Sequence, residues 1–457
     1  MAGRHRNGGS RMPDRTLSRS AALASTLLPC FMFVSSVSGQ ATTHPPLNHD
    51  ALVATHCGTC HRKGGSGPFT LETSSDLLKR RQFIKAVIES GLMPPWSYSG
   101  GVELEGERAL SADEKRRFLE LLSSGVSVEP GDISKEDEGV QAPDHSSTIA
   151  SDATLGPFGM RRSWVVPAEG GRRWFKGERD KRTFLIPIAN QAPLRINQLA
   201  YRTTAPLAVT AVALSTDTTG QARRYIDWDD DSGTYMAGDV GFVAAGSLAV
   251  IGPGGGSLAL PSGYHLTLPA GADIVSEVHF RPQGKEWTLD DSVTVTQVAP
   301  DVDSTELVPI NLMLRKVVLA AGETLDAGSE LTLEQDVSLV AITPRAGRRC
   351  TRLRLELVMP DGLKRTLLDA NDWNPHYRET VVLKESLSLP RGTRFIATWH
   401  FDNSSENPRN PVVPPEDVSL GARCGIANFL LLCAPDAPGG ETSLKSFARS
   451  EVIRKQR

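Results

Sequence analysis

Leu353-Arg354-Leu355-Glu356-Leu357-Val358-Met359-Pro360-Asp361-Gly362 decides the fold of most of this chain. Leucines at every second position, separated by charged residues, fit a strand with one buried face. Pro-Asp-Gly then turns the chain back, as in a hairpin. Outward from this stretch, similar short strands and turns run from 184 to 298 and from 308 to 433. No segment there repeats apolar residues with a helical period. Gly (41) and Pro (30) are plentiful and aromatic residues make up only 6% of 457, a balance that suits turn-rich β structure. The natural partition is two β-sandwiches of about 130 residues each, 156–300 and 301–433. The polar tail, 434–457, is expected to be flexible.

Upstream, residues 126–155 are polar, acidic and punctuated by Pro and Gly, as in Glu129-Pro130-Gly131-Asp132, and read as a linker. Residues 41–125 have a different rhythm. Asn48 to Thr55 can form a short helix. Ser75 can cap a second helix carrying Leu77, Ile84, Val87 and Ile88 on one side and ending at Gly91. Ser111-Ala112-Asp113-Glu114 is a capping-box pattern that opens a third, with Phe118 and Leu122, ending at Gly125. This is a small all-α domain.

Residues 1–39 resemble a secretion signal. Arg4, Arg6, Arg11, Arg15 and Arg19 lead an apolar run from Ala21 to Val34, too short to be an ordinary membrane span. Small residues Val37-Ser38-Gly39 place the cut before Gln40. The mature chain is therefore expected in the periplasm or otherwise exported, with no membrane span. A formal net charge of −3 with no basic patch argues against nucleic-acid binding. Oligomeric state has no signal here.

Cys57-Gly58-Thr59-Cys60-His61 carries the chemistry. Two thiols at this spacing can add to the two vinyl groups of a haem, and the adjacent His then falls under the ring to bind iron. A zinc half-site would want a second ligand pair, and none occurs before Cys350. A dithiol redox pair would want a thioredoxin-like unit, and none is readable. The expected cofactor is haem c, with Cys57 and Cys60 as attachment points and His61 as axial ligand. Met93, in Gly91-Leu92-Met93-Pro94-Pro95-Trp96, is expected as the sixth ligand, with His56 and His145 as rivals. His/Met ligation favours electron transfer, which implies a redox partner protein.

The order Cys57-to-His61, Gly67-Pro68-Phe69, Met93-Pro94-Pro95-Trp96, then Leu110-Ser111 before a helix resembles the small cytochrome c modules of large bacterial exported proteins. In many of these the module precedes a copper type II, ascorbate-dependent monooxygenase region similar to peptidylglycine α-hydroxylating monooxygenase. Asp217-Thr218-Thr219-Gly220-Gln221-Ala222-Arg223, Leu268-Pro269-Ala270-Gly271 and Val278-His279-Phe280 resemble its first domain. Leu389-Pro390-Arg391-Gly392-Thr393 and the string Asp402-Asn403-Ser404 to Asn410-Pro411 resemble its second. The resemblance implies two stacked jelly rolls, each normally holding one copper.

The copper ligands depart from that pattern. The family's His-His pair should follow Val209, where this chain has Thr210-Ala211; its later His corresponds to His279. Its His-x-His should follow Pro344, where Arg345-Ala346-Gly347 stands, and its Met should fall near Asn428-Phe429. One imidazole cannot hold copper tightly, so His279 is expected to be a vestigial ligand and the double sandwich a docking or binding scaffold. The alternative is an active copper monooxygenase with the haem as built-in electron donor, drawing on His265, His279, His376 and His400. Cys350, Cys424 and Cys433 permit one disulfide and one spare thiol. Asp229-Asp230-Asp231 reads as a solvated loop or a calcium site, and Pro253-Gly254-Gly255-Gly256 as a flexible turn.

Overall fold

In the computed structural model, residues 49–95, 98–124, 159–166, 181–188, 190–226, 234–235, 246–281, 287–299, 301–421 and 427–456 are described. The signal segment, the linker, Trp96, His145, Asp229-Asp230-Asp231 and Cys424 lie outside these residues.

Four helices open the described chain: α1 (His49–His56), α2 (Ser74–Lys79), α3 (Arg81–Glu89) and α4 (Ala112–Ser124). The helix expected after Ser75 is thus two, broken at Arg80, and its cap is Thr73. The Thr73 hydroxyl accepts from Asp76 N at 3.2 Å while Asp76 receives the Thr73 N–H, a reciprocal capping box. Ser111 and Glu114 form the box expected at α4, at 2.8 and 3.2 Å. Leu52, Leu71, Leu77, Ile84, Ile88, Phe118 and Leu122 close a small core between the helices.

The rest is dominated by strands. The first sandwich contains β1 (Gly159–Val166), β2 (Lys181–Pro187), β3 (Leu194–Thr203), β4 (Val209–Asp217), helix α5 (Gln221–Ile226), β5 (Thr234–Tyr235), β6 (Ser247–Ile251), β7 (Gly256–Ala259), β8 (Tyr264–Leu268), β9 (Asp273–Phe280), β10 (Trp287–Gln297) and β11 (Thr305–Glu306). One sheet runs β1-β10-β3-β8-β11 with β7 on β3; the other runs β5-β2-β9-β4-β6. The second contains β12 (Val308–Met313), β13 (Val317–Leu319), β14 (Thr324–Thr332), β15 (Val337–Ala346), β16 (Cys350–Val358), β17 (Lys364–Ala370), β18 (Val381–Leu389), β19 (Arg394–Asp402), β20 (Val418–Leu420) and β21 (Ala427–Pro435). Its sheets are β12-β21-β15-β18 and β14-β19-β16-β17, with β13 paired to β20. The opening stretch is β16: Leu353, Leu355 and Leu357 are buried, and Met359 N donates to Leu363 O across the Pro-Asp-Gly turn at 2.8 Å.

Strand β21 explains how the sandwiches stack. All nine of its residues are buried. Phe429, Leu431 and Cys433 point into the second core, whereas Leu430, Leu432 and Ala434 join the first. A strand covered on both faces reads as a continuous apolar run, Phe429-Leu430-Leu431-Leu432-Cys433, for this reason. Val340, Ala341 and Val382 extend the shared layer. Thr380 adds a polar latch: its N–H donates to Val250 O and its hydroxyl accepts from Val250 N, both at 2.8 Å.

The tail is not flexible as expected. It forms α6 (Glu441–Gln456), which packs on β12 through Leu444, Phe447 and Ala448. That i, i+3, i+4 spacing is an apolar stripe, and burial on the sandwich outweighs the polar remainder. The extended segment Tyr98–Arg108, between the helices α3 and α4, lies across the second sandwich as a strap. Ser99 pairs with Asp369 and Leu104 with Leu383, and Tyr98 and Leu104 enter the second core. Helices and sandwiches accordingly belong to one compact unit, Leu47–Arg457. Among the described residues no helix is long and apolar enough to cross a membrane.

Candidate functional site

The end of α1 shapes the site. Cys57 and Gly58 both donate to Val53 O, and Cys60 and His61 both donate to Cys57 O, so the two thiols sit on consecutive tight turns. Burial, with the neighbouring Cys60, pushes the Cys57 thiol up to about 12. That is opposite to the depressed thiol of a dithiol oxidoreductase, and it leaves the sulfur protonated. Among the described residues no group of three His, Cys, Asp or Glu could hold a metal ion.

His61 is 8% exposed. Its Nδ1 lies 2.9 Å from Phe69 O. A carbonyl can only accept, so Nδ1 is the donor and Nε2 is the nitrogen left to face a ligand. This is the arrangement that orients an imidazole as a metal ligand. The loop that supplies the carbonyl turns back over the ring: Gly67 N donates to Cys60 O, Leu71 N donates to His61 O, and Phe69 stacks on the imidazole at 4.8 Å between centroids. A Cβ at Gly67 would fall 2.6 Å from His61 Nδ1, so only glycine allows this closure. Arg80 covers Phe69 with its guanidinium 4.6 Å from the ring centre.

Cys57, Cys60 and His61 are brought together. Met93 stands on the turn after α3, half-buried, its N–H donating to Val87 O at 3.1 Å. No described contact joins it to His61. His56 is turned away: Nδ1 meets Arg108 O at 3.0 Å and Nε2 faces Glu114 at 3.7 Å.

Beside Cys60 lies a cavity of about 910 Å3. Leu71, Leu77 and Leu121 give it apolar walls from the helical side. Two neighbouring thiols and an oriented imidazole are residues that would hold a covalent haem; Cys60 lines the cavity, and Cys57, His61 and Met93 do not. The opposite wall, unsuspected from sequence, comes from the sandwiches: the turn Gly252–Gly256 and the stretch Glu379–Val382. The glycine turn is no loose loop. Gly254 has φ +76° and its Cα faces the loop after His61 so closely that a Cβ would lie 2.6 Å from Ser66 Cβ.

The four histidines weighed for copper are on four different elements. His279, on β9, has Nε2 2.5 Å from Glu277 Oε1. His265, on β8, meets the Ser304 hydroxyl at 2.9 Å. His400, on β19, meets Asp326 at 2.7 Å, and His376 sits in a 3-10 turn, Pro375–Tyr377. Cys350 and Cys433 are free thiols on facing sheets, both raised by burial, so no disulfide joins those two.

No family model and no curated protein matches the chain. Among solved structures it is similar to the VP2 subviral particle of infectious bursal disease virus, at 10% identity over 65% of this chain and 75% of that one, with a TM-score of 0.17. It is also similar to A223, a turret protein in Sulfolobus turreted icosahedral virus, at 8% identity over 60% and 98%, with a TM-score of 0.15. Scores this low bear on neither fold nor function.

Proposed function

We propose that this chain is an exported, periplasmic c-type cytochrome that exchanges single electrons with a redox partner protein, and that its double sandwich is a copper-monooxygenase-like scaffold for docking or binding. Cys57 and Cys60 would hold haem c through thioethers, and His61 Nε2 and Met93 Sδ would hold its iron. A haem ligated in this way supplies a one-electron couple of raised potential. The observation that carries the reading is the Nδ1–Phe69 O hydrogen bond at 2.9 Å, which fixes the His61 tautomer one residue from Cys60. Each turnover moves one electron between the site and the partner, with no bond made or broken.

Strand register supports the monooxygenase resemblance. Ala211, where the family's paired His would stand, lies directly opposite His279. Arg345, in place of the first His of His-x-His, lies opposite Asn428, where the Met would fall. Positions that share a copper in that family are thus neighbours here, with the ligands replaced by side chains that bind copper poorly. This favours a scaffold over the alternative, a copper monooxygenase fed by its own haem.

The test is metal content of the full chain, produced with export and haem maturation intact and then exposed to copper. One iron and no retained copper per chain, with a mass increase of one haem lost in Cys57→Ala/Cys60→Ala, is the expected result. Absence of covalent haem overturns the cytochrome reading. Tightly held copper, with substrate-dependent oxygen uptake, selects the monooxygenase.

A further inference from the structure

The cavity of about 910 Å3 is walled from two sides, and of Cys57, Cys60, His61 and Met93 only Cys60 reaches it. Leu71, Leu77 and Leu121 face it from the helices, and Ile251, Leu258 and Val382 from the sandwiches. All of these but Leu121 are buried. Apolar atoms that border a void lack packing partners on that side, so the space favours an apolar body. The charges around it are not balanced. Arg108 is neutralised by Glu379, and Lys384 by Glu103. What is left in the lining is three carboxylates, Glu72, Glu105 and Glu107, against one cation, Arg62. All three glutamates are exposed, so they stand at the rim. The backbone holds the acidic strap against the apolar wall, because Glu105 N donates to Val382 O at 2.8 Å.

We infer that this cavity is a binding site for an apolar organic cation, such as a hydrophobic amine. Its body lies between the leucine wall and the sandwich wall, and its charge stays at the rim among Glu72, Glu105 and Glu107. The inference makes no use of the haem. Apolar area removed from water supplies the attraction. The carboxylates, partly screened by solvent, select the sign of the ligand's charge. An anion of the same shape meets the same walls but a repelling rim.

The probes are tetraphenylphosphonium and tetraphenylborate, which share shape and size and differ in sign. Calorimetric titration of the full mature chain at low salt should show the cation binding at least about tenfold more tightly than the anion. The gap should narrow as salt rises. Glu105→Gln/Glu107→Gln should weaken the cation by about threefold and strengthen the anion. Ala259→Trp, at an exposed position in the wall, should fill the space and abolish binding of both probes. Equal affinities, a preference for the anion, or no binding of either probe overturns the inference. So does binding that Ala259→Trp leaves intact. Should that variant not fold, a photoreactive phosphonium decides. Covalent label mapped to 53–77 and 250–261 supports the site, and label elsewhere overturns it.

Discussion

Gly67 sits against the imidazole it helps to hold, and this makes it the sharpest single probe of the site. Gly67→Ala would push a methyl group to within 2.6 Å of His61 Nδ1, so the ring must tilt and the Phe69 hydrogen bond weaken. The expected outcome is haem still bound through both thiols but with an altered visible spectrum; an unchanged spectrum would show that His61 is not the ligand. The five-residue motif was legible because its chemistry is local. Arg108, Glu379 and Ser66 were not, because nothing near them in sequence marks contacts reaching 271 residues away. The glycine run at 254–256 did carry a signal, since three consecutive positive-φ residues mark a close backbone approach rather than slack. His265 gives a pH prediction. Burial, ahead of the opposing Glu306 and the cations Arg195 and Lys445, depresses its pKa. The folded state then favours the neutral ring more than the unfolded state does. Stability is full above the unfolded value of about 6.5 and falls as pH drops through the window below it. His265→Gln should flatten the melting temperature over that window, and an unchanged slope would place the acid sensitivity elsewhere.

Helix α6 shows what pattern reading sees and misses. Leu444, Phe447 and Ala448 form its buried stripe, yet the surrounding Lys, Arg and Ser make the segment look like a polar tail. What decides the outcome is an open face on β12, and only the folded sandwich reveals that face. Lys455, also buried, anchors the last turn by donating to Ser329 Oγ at 2.7 Å. Phe447→Ala should cost about 3 kcal/mol, the loss expected for truncating a buried aromatic ring. Denaturant unfolding followed by circular dichroism would measure it, and a cost under about 1 kcal/mol would mean that α6 contributes little to the second sandwich. The strands were better served. In β16 the alternation Leu353, Leu355, Leu357 survives unchanged because both its neighbours are antiparallel and one face meets the core. The split of α2 from α3 was missed because the apolar spacing continues across Arg80, while the capping box at Thr73 starts the first helix two residues early.

The strap ties the helical segment to the rest of the molecule. Tyr98 and Leu104 are as buried as core residues of the second sandwich, and backbone pairs at Ser99–Asp369 and Leu104–Leu383 stitch the segment down. Glu105 N donates to Val382 O, two residues along β18, and Val382 itself packs in the first core. Three sequence regions with different periodicities therefore share continuous walls. Their boundaries could be read from composition, but their docking could not, because it depends on a few apolar side chains inside otherwise polar loops. Fully coupled packing predicts that the helical segment and the sandwiches unfold together. Haem absorbance and tryptophan fluorescence should then report a single coincident transition in the parent chain. Leu104→Ala, worth about 2–5 kcal/mol at a buried leucine, should loosen the strap, speed protease cleavage between 98 and 111, and split the two signals so that the haem transition comes first. Two separate transitions already present in the parent would show that the helical segment is an independent body resting on the sandwiches.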